Sequence, residues 1–124
     1  MQRSRVGLPL GWAYNAPVST VYCYILECSD GTLYTGSTSD PKRRLREHNA
    51  GRGGRYTRTR RPLRLRYLEP QPSRRSAMQR ERSLKALPRQ QKLALIDEQQ
   101  DALETFDFNR ENDVKNQQNP MDHG

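Results

Sequence analysis

The spacing of apolar residues predicts a β-hairpin near the start of the chain. Residues 21–26 form the longest apolar run, and its β-branched and aromatic members are typical of a strand. Asp30 and Gly31 follow as a turn dipeptide, and residues 32–35 again suit an extended strand. Two short strands joined by a turn of this composition indicate antiparallel pairing.

A short helix is predicted directly after the hairpin. Asp40 can cap its first turn, and Pro41 suits the first helical position because it has no N–H to leave unpaired. The helix then covers residues 42–49, and Gly51 ends it.

A loop and a third strand are predicted next. Residues 51–61 contain three glycines and no acid, which predicts a mobile basic loop. Residues 63–68 alternate between apolar and polar, as in a half-buried strand, and Pro70 and Pro72 end it. One face of this strand is predicted to carry Leu63, Leu65 and Tyr67.

A second helix is predicted to begin after Ser73, which suits the N-cap position. Glu81 falls on the apolar stripe of this helix, where it is the one acid. The other members of the stripe are Ala77, Leu84 and Leu87, with Met78 alongside.

Pro88 ends this helix and can open a third one over residues 89–99. Leu93, Ile96 and Gln100 are predicted to point inward. The order strand, strand, helix, strand, helix, helix predicts a small α/β sandwich with a short, largely antiparallel sheet.

Composition limits the size and class of the protein. The 124 residues suffice for one small domain. Leu, Ile, Val and Phe make up about 17% of the chain, a level usual in disordered proteins, so the case for folding comes from the alternation and helical spacing. We expect residues 1–19 to be flexible, residues 20–97 to form the domain, and residues 98–124 to be a disordered acidic tail.

Several classes of protein are excluded or disfavoured. No apolar run approaches the roughly 20 residues that cross a bilayer, so no membrane span is expected. The two cysteines and two histidines do not provide the four ligands with recognised spacing that a structural zinc site needs. Cys23 and Cys28 lie too far apart on one strand to pair, and no secretory signal precedes them. These features favour a reduced, cytoplasmic protein.

The net charge of +8 is concentrated in the middle of the chain. Residues 41–92 carry 18 basic and 3 acidic residues, which is typical of a protein that binds a polyanion. A solvated basic face is the alternative. Within residues 51–61, Tyr56 can stack on an unpaired base, although a solubilising loop is as good an interpretation. The candidate nucleic-acid contacts are Arg43, Arg52, Arg55, Tyr56, Arg58, Arg60 and Arg61.

Five side chains could meet in one site. Tyr24 and Tyr34 lie on the two strands of the hairpin, and Arg44 and His48, four positions apart, share one helix face. With Glu81 added, the set contains a metal ligand, a phosphate clamp and groups for proton transfer. Phosphodiester cleavage needs those parts.

The residues around these positions resemble the GIY-YIG nuclease superfamily, in particular its small single-domain members of the URI type. The resemblance spans roughly residues 20–97 and depends on four motifs in the right order. Tyr-Cys-Tyr stands where the first motif usually has Gly-Ile-Tyr, and an asparagine found after the acid in some members has no clear counterpart. The motifs are Tyr22-Cys23-Tyr24, Tyr34-Thr35-Gly36, Arg44 and His48 in KRRLREHN, and Glu81 in QRERSLKAL.

The resemblance implies a three-stranded antiparallel sheet with flanking helices, and divalent-metal-dependent cleavage of DNA. Glu81 would hold one Mg²⁺ or Mn²⁺ ion, and Arg44 would clamp the scissile phosphate. Tyr24 would be the general base, helped by a metal-bound water or by His48, which could accept its proton or hold it by a hydrogen bond. Tyr34 would orient water or phosphate.

Each role has a structural alternative. Glu81 can pair with Lys85 four positions along the helix, and Tyr24 can be a core tyrosine with a satisfied hydroxyl. At the level of the whole protein, a basic module that binds DNA or RNA without cutting is the main alternative. A protein-interaction adaptor is a third, with partners that the sequence does not identify.

Overall fold

The computed structural model describes residues 20–105, with backbone alone for residues 101–105. Expectations for residues 1–19 and 106–124 lie outside the described residues. No described helix is long and apolar enough to cross a membrane. The elements in chain order are β1 (Val21–Glu27), β2 (Leu33–Thr38), α1 (Pro41–Asn49), α2 (Arg55–Arg58), β3 (Arg64–Gln71), α3 (Arg74–Ala86) and α4 (Arg89–Thr105).

The three strands form one antiparallel sheet in the order β2-β1-β3, which confirms the predicted α/β fold. The central strand β1 is buried along nearly its whole length because helices cover both faces of the sheet. This explains why its sequence is continuously apolar instead of alternating. The hairpin between β1 and β2 is confirmed, and Gly31 in its turn has a φ of 87°, which favours glycine.

The two faces of the sheet have different residues. The tyrosine face carries Tyr22, Tyr24 and Leu26 of β1 and packs on Leu45 of α1. The cysteine face packs against α3 and α4, and it comprises Val21, Cys23 and Ile25 with Ala77, Leu84 and Ile96. Both cysteines are buried and free, as expected.

The predicted face of β3 is wrong for Tyr67. The pairing of β1 with β3 shifts between Ile25 and Leu26, so that Tyr67 opposes Ile25 while Leu65 opposes Leu26. The extra residue, Arg66, is a β-bulge that moves the next side chain to the other face. Tyr67 therefore lies on the cysteine face, whereas Leu63 and Leu65 lie on the tyrosine face.

The predicted end of β3 is also wrong, because the strand continues through Pro70 to Gln71. As an edge strand with one neighbour, β3 can accept a residue without an N–H donor. Its open side is partly satisfied by Gln99, whose side-chain amide bonds both the N–H and the carbonyl of Leu68, at 2.9 and 2.6 Å.

Helix starts follow the predicted caps. The Asp40 carboxylate accepts from the N–H of Arg43 at 3.2 Å, and Ser73 accepts from Ser76 at 3.1 Å in a capping box. Met78, expected beside the buried stripe of α3, is 52% exposed. It is one position past Ala77, which turns its side chain away from the sheet.

Helix α4 is longer than predicted and ends at Thr105 instead of about Gln99. Residues 97–105 contain neither glycine nor proline, so nothing in their sequence ends the helix. The boundary expected between residues 97 and 98 therefore lies inside a helix. Ile96 is buried as predicted, but Gln99 and not Gln100 points inward.

Candidate active site

A buried chain of three side chains lies beneath the tyrosine face. Tyr24 is 3% exposed, and its hydroxyl oxygen lies 3.1 Å from Nε2 of His48 on α1. The other ring nitrogen of His48, Nδ1, lies 2.9 Å from Oγ1 of Thr57 on α2. Both hydrogen-bonding positions of this imidazole are therefore used, and the ring is fully buried.

Burial makes both groups of the Tyr24–His48 pair neutral at neutral pH. It raises the pKa of Tyr24 to about 12, and the negative charge of Glu81 acts in the same direction. The nearby Arg44 opposes this change because a cation favours the phenolate. Burial, followed by the charge of Arg44, lowers the pKa of His48 to about 4.

Two hydrogen bonds hold Arg44 next to the Tyr24–His48–Thr57 group. Its guanidinium donates to Oε1 of Glu47 at 2.9 Å and to the carbonyl oxygen of Gly53 at 3.2 Å. About one third of the side chain, 32%, is exposed. Arg44 therefore has fixed anchors on one side and access to solvent on the other.

Tyr34 packs on the same imidazole from β2. Its ring meets that of His48 edge-on, with 5.3 Å between centroids, and stacks on Tyr56 with 5.9 Å between centroids. The guanidinium of Arg60 lies 3.9 Å from the centre of the Tyr56 ring. Tyr56 thus already has an aromatic and a cationic neighbour, while remaining partly exposed.

Gly36 leaves room for the Tyr24 hydroxyl. It is directly opposite Tyr24 in the β1–β2 register, and a Cβ at Gly36 would lie 2.5 Å from the hydroxyl oxygen. Any larger residue would displace the phenol ring, because real Cβ atoms do not approach an oxygen so closely. The glycine of the Tyr-Thr-Gly motif is therefore required by a close approach.

Glu81 lies beside this cluster, near enough for its charge to act on Tyr24, and its side chain contacts Ser37 and Lys85. Its Oε1 accepts from the hydroxyl of Ser37, the residue after Gly36, at 2.8 Å. Its Oε2 lies 3.0 Å from Nζ of Lys85, so the predicted alternative pairing is present as well. The structure thus brings Tyr24, Tyr34, Arg44 and His48 together. Glu81 is hydrogen-bonded to Ser37, the residue that follows Gly36 on β2.

A divalent cation fits Glu81 only as a one-carboxylate site. Among the described residues, no group of three or more His, Cys, Asp or Glu side chains could enclose a metal. Mg²⁺ suits a site of this kind because it keeps several waters and takes substrate phosphate oxygens as further ligands. The ammonium group of Lys85 would compete with the cation for Oε2.

The segment 51–61, predicted to be a mobile loop, contains α2 and closes over His48. The backbone of Gly53 lies so close to the ring that a Cβ would overlap Nδ1. Thr57 is 1% exposed, and the carbonyl oxygen of Arg60 accepts from the N–H of Ser29 in the hairpin turn. Gly53 and Thr57 were not predicted, because nothing in their spacing relates them to His48.

The predicted nucleic-acid contacts fall into two groups. Arg60 and Arg61 are bound to protein atoms: Arg60 donates to Asp30 and to the Tyr56 carbonyl, and Arg61 to the carbonyls of Arg58 and Asn49. The remaining arginines are exposed on α1 and in segment 51–61, and they are Arg43, Arg52, Arg55 and Arg58. Of these, Arg43 also forms an ion pair with Glu47 at 3.6 Å.

Comparison with known proteins agrees with this fold. The family model "GIY-YIG catalytic domain" matches residues 20–94. A UPF0213 protein of Streptococcus agalactiae serotype V is 55% identical over 75 residues, which cover 60% of this chain and 85% of that protein. A UPF0213 protein of Halobacterium salinarum is 54% identical over 75 residues, covering 60% of this chain and 97% of that protein.

A solved structure is similar as well, the solution NMR structure of a UPF0213 protein from Bacillus halodurans. It is 45% identical, covers 63% of this chain and 83% of its own, and superposes with a TM-score of 0.42. From the matched domain and the identity of its relatives, this chain belongs to the GIY-YIG superfamily, whose members are in general nucleases, and within it to the small UPF0213 proteins.

Proposed function

We propose that this protein is a divalent-metal-dependent endonuclease that cleaves the phosphodiester bonds of DNA. The observation that carries the proposal is the contact of Tyr24 with His48, beside Arg44. The hydroxyl of Tyr24 also lies so close to Gly36 that no other residue fits at that position. A core tyrosine needs one hydrogen-bond partner, but it does not need a neighbouring guanidinium or a glycine opposite its hydroxyl. The combination favours a reactive phenol.

Tyr24 is the general base in this proposal. Its oxygen takes a proton from the attacking water as water adds to phosphorus in line with the leaving oxygen. Before this step the phenol gives its own proton to a base from solvent, and the nearby Arg44 favours that loss because a cation stabilises the phenolate. His48 supports the oxygen by its hydrogen bond.

Proton transfer from Tyr24 to His48 is the less favourable of the two roles considered for His48. Burial raises the pKa of Tyr24 and lowers that of His48, so the neutral phenol and the neutral imidazole are favoured over the ion pair that the transfer would form. His48 therefore acts as a hydrogen-bonding and positioning residue.

Arg44 and Tyr34 act on the phosphate. The exposed part of Arg44 can donate two parallel N–H bonds to phosphate oxygens, where charge increases in the transition state. Its anchors on Glu47 and Gly53 reduce the conformational freedom that binding would otherwise cost. Tyr34, partly exposed beside His48, orients the water or the phosphate.

Glu81 holds the metal ion, either Mg²⁺ or Mn²⁺. When bound, a divalent cation supplies positive charge that stabilises the developing phosphate charge and makes nearby oxygen acids more acidic. The hydroxyl of Ser37 fixes the orientation of the carboxylate, so that one oxygen is anchored and the other faces Lys85. Substrate phosphate would complete the ligand set.

The DNA backbone follows the exposed arginines of α1 and segment 51–61. The side chains of Arg55 and Arg58 have no hydrogen bond or ion pair within residues 20–100, so they can meet phosphates without breaking one. Because both DNA and RNA have phosphates, RNA is included in the test below.

The two free, buried thiols suit a reducing cytoplasm, where we place the protein.

The test is a cleavage assay on a panel of branched, flapped, single-stranded and duplex DNA and on RNA, with Mg²⁺, Mn²⁺ or a chelator. We expect metal-dependent products that Glu81→Gln fails to form, while Glu98→Gln, exposed on α4, forms them at the normal rate. Cleavage that is equal in wild type and Glu81→Gln contradicts the assignment of Glu81.

A module that binds nucleic acid without cutting it is the second candidate. The ion pair of Lys85 with Glu81 favours it, since that contact satisfies the carboxylate without a metal. This candidate predicts salt-sensitive binding with no products on any substrate in either metal. Its confirmation would overturn the nuclease proposal.

A further inference from the structure

The two hydrogen bonds of His48 depend on each other. A neutral imidazole carries one proton, so one ring nitrogen donates and the other accepts. The low pKa of His48 keeps the ring neutral at neutral pH. The partner that determines the role of Nδ1 therefore also determines whether Nε2 donates to Tyr24 or accepts from it.

Thr57 is in a position to determine that role. Its hydroxyl is buried, and among the described residues Nδ1 of His48 is its one hydrogen-bond partner. If Nδ1 carried the proton, the hydroxyl of Thr57 would accept, and its own proton would be left buried without an acceptor. If Thr57 donates to Nδ1, its proton is satisfied.

When Thr57 donates to Nδ1, Nε2 carries the ring proton and donates it to Tyr24. The hydroxyl proton of Tyr24 is then the one without an acceptor in this group. The Tyr24 oxygen occupies the space beside Gly36 and lies near Arg44, whose side chain is partly exposed to solvent. It is also the atom that has to lose a proton if Tyr24 is a base. The arrangement in which Thr57 donates therefore leaves the one free proton at the reactive oxygen.

Gly53 restricts the rotation of the His48 ring. Its backbone packs on the imidazole, and its carbonyl oxygen is itself bound by Arg44 at 3.2 Å. A ring turned over by 180° would present carbon atoms to both Thr57 and Tyr24 and lose both hydrogen bonds. The loop and α2 thus fix the orientation of His48 from one side.

We propose that Thr57 is a positioning residue whose hydroxyl donates to Nδ1 of His48, so that Nε2 carries the ring proton and donates it to Tyr24. The hydroxyl oxygen of Tyr24 then faces the Nε2–H of His48 and lies near the guanidinium of Arg44, and both favour its charged form. In the opposite tautomer, Nε2 would accept from Tyr24 and favour the neutral phenol. The catalytic part of this inference rests on the proposed function, whereas the tautomer does not.

The tautomer is measured by long-range ¹H–¹⁵N correlation of the histidine rings in the full-length protein at neutral pH, without DNA or metal. His48 and His123 are the two histidines, so His123→Gln assigns the signals. We expect Nδ1 of His48 to show the shift of an unprotonated nitrogen and Nε2 that of a protonated one. The reverse pattern in the wild-type protein overturns the proposal.

Three variants test the role of Thr57 itself. Thr57→Val removes the hydroxyl at nearly constant volume and is expected to lose the single Nε2–H form, whereas Thr57→Ser keeps it. Thr59→Val, at an exposed threonine two positions later, is the control and leaves the His48 signals unchanged. If Thr57→Val folds, by its backbone amide spectrum, and retains the wild-type ring signals, Thr57 does not set the tautomer.

Cleavage adds a second readout where wild type cuts. Thr57→Val is expected to cut about tenfold more slowly, the effect of one hydrogen bond. The rising limb of its pH–rate profile should move to higher pH, because Tyr24 ionises less readily. Thr57→Ser restores both. A lower rate with an unshifted pH–rate profile in Thr57→Val contradicts the positioning role of Thr57.

Wild type that shows the predicted tautomer but cuts nothing would refute the proposed function and leave the tautomer established.

Discussion

Nε2 of His48 lies 3.1 Å from the hydroxyl oxygen of Tyr24, although the two residues are 24 positions apart and belong to different elements. The ring of Tyr34 from β2 and the hydroxyl of Thr57 from α2 complete the surroundings of the same imidazole. Four elements therefore meet at one buried side chain. This convergence makes His48 sensitive to changes in each of them.

The backbone of Gly53 is expected to tolerate no side chain. In Gly53→Ala the new Cβ would overlap His48, so the ring or segment 51–61 must shift. We expect a loss of about 1–3 kcal/mol in the free energy of unfolding, with loss of the Tyr24 contact. Urea unfolding and the cleavage assay measure the two effects.

Gly31→Ala is the matched comparison for Gly53→Ala. Gly31 lies in the hairpin turn with a positive φ, and a Cβ added there would meet no atom within 4 Å. The variant should lose stability through backbone strain and keep its cleavage rate once folded. Equal activity in the two variants would contradict the role given to Gly53.

The buried imidazole is expected to make stability depend on pH. His48 has a pKa of about 4 in the folded protein and 6.5 as its ordinary value, so the unfolded chain binds more protons between these values. Stability is then fully present above pH 6.5 and falls as the pH drops toward 4, by roughly 3 kcal/mol from this residue. Urea unfolding between pH 7 and pH 4 measures the loss.

His48→Gln serves as the reference for that pH dependence. Carboxylates such as Asp30 and Glu47, whose pKa values are lowered in the folded protein, also destabilise it on acidification, but they do so in both proteins. The wild type should therefore lose more stability than the variant. Parallel curves would show that His48 has an ordinary pKa.

The fold could be predicted from local signals because most elements carry their own start and stop residues. Asp40 and Ser73 cap helices where expected, and residues 21–26 form the central strand. Tyr67 could not be assigned to its face, because the bulge at Arg66 depends on how β3 pairs with β1 and not on the sequence of β3. Pro70 was misjudged since its tolerance depends on β3 being an edge strand.

The meeting of the motif side chains could be predicted from the sequence, whereas their further neighbours could not. Tyr24, Tyr34, Arg44 and His48 meet as their strand and helix positions suggested. Thr57 was missed because its contact with His48 joins two segments through loop closure, which leaves no period in the sequence. Ser37, which orients Glu81, was missed for a similar reason, since the packing of α3 on β2 brings them together.

Removing the ion-pair partner of Glu81 should strengthen metal binding. The ammonium of Lys85 lies 3.0 Å from Oε2 and is 56% exposed, so its competition with a cation is real but screened. In Lys85→Met we expect half-maximal cleavage at about two- to fivefold less Mg²⁺. Lys92→Met on α4 should leave the metal titration unchanged. A higher metal requirement in Lys85→Met would place the cation elsewhere.

The exposed arginines of α2 should contribute to DNA affinity without reading sequence. In the double variant Arg55→Gln, Arg58→Gln, two phosphate contacts are lost, and the slope of log K against log salt should decrease by about 1.8 for duplex DNA. The double variant Arg89→Gln, Lys92→Gln removes the same charge from α4. If both pairs change the slope equally, net charge and not this surface determines binding.

Cleavage by Tyr24→Phe tests whether Tyr24 is the general base. The substitution removes the hydroxyl that contacts His48 and keeps the ring, and Tyr67→Phe removes a buried hydroxyl from the opposite face of the sheet. On the DNA that wild type cuts best, at saturating Mn²⁺, we expect Tyr24→Phe to lose at least about 10²-fold in rate and Tyr67→Phe to keep the wild-type rate. Wild-type cleavage by folded Tyr24→Phe would contradict the claim that Tyr24 is the general base.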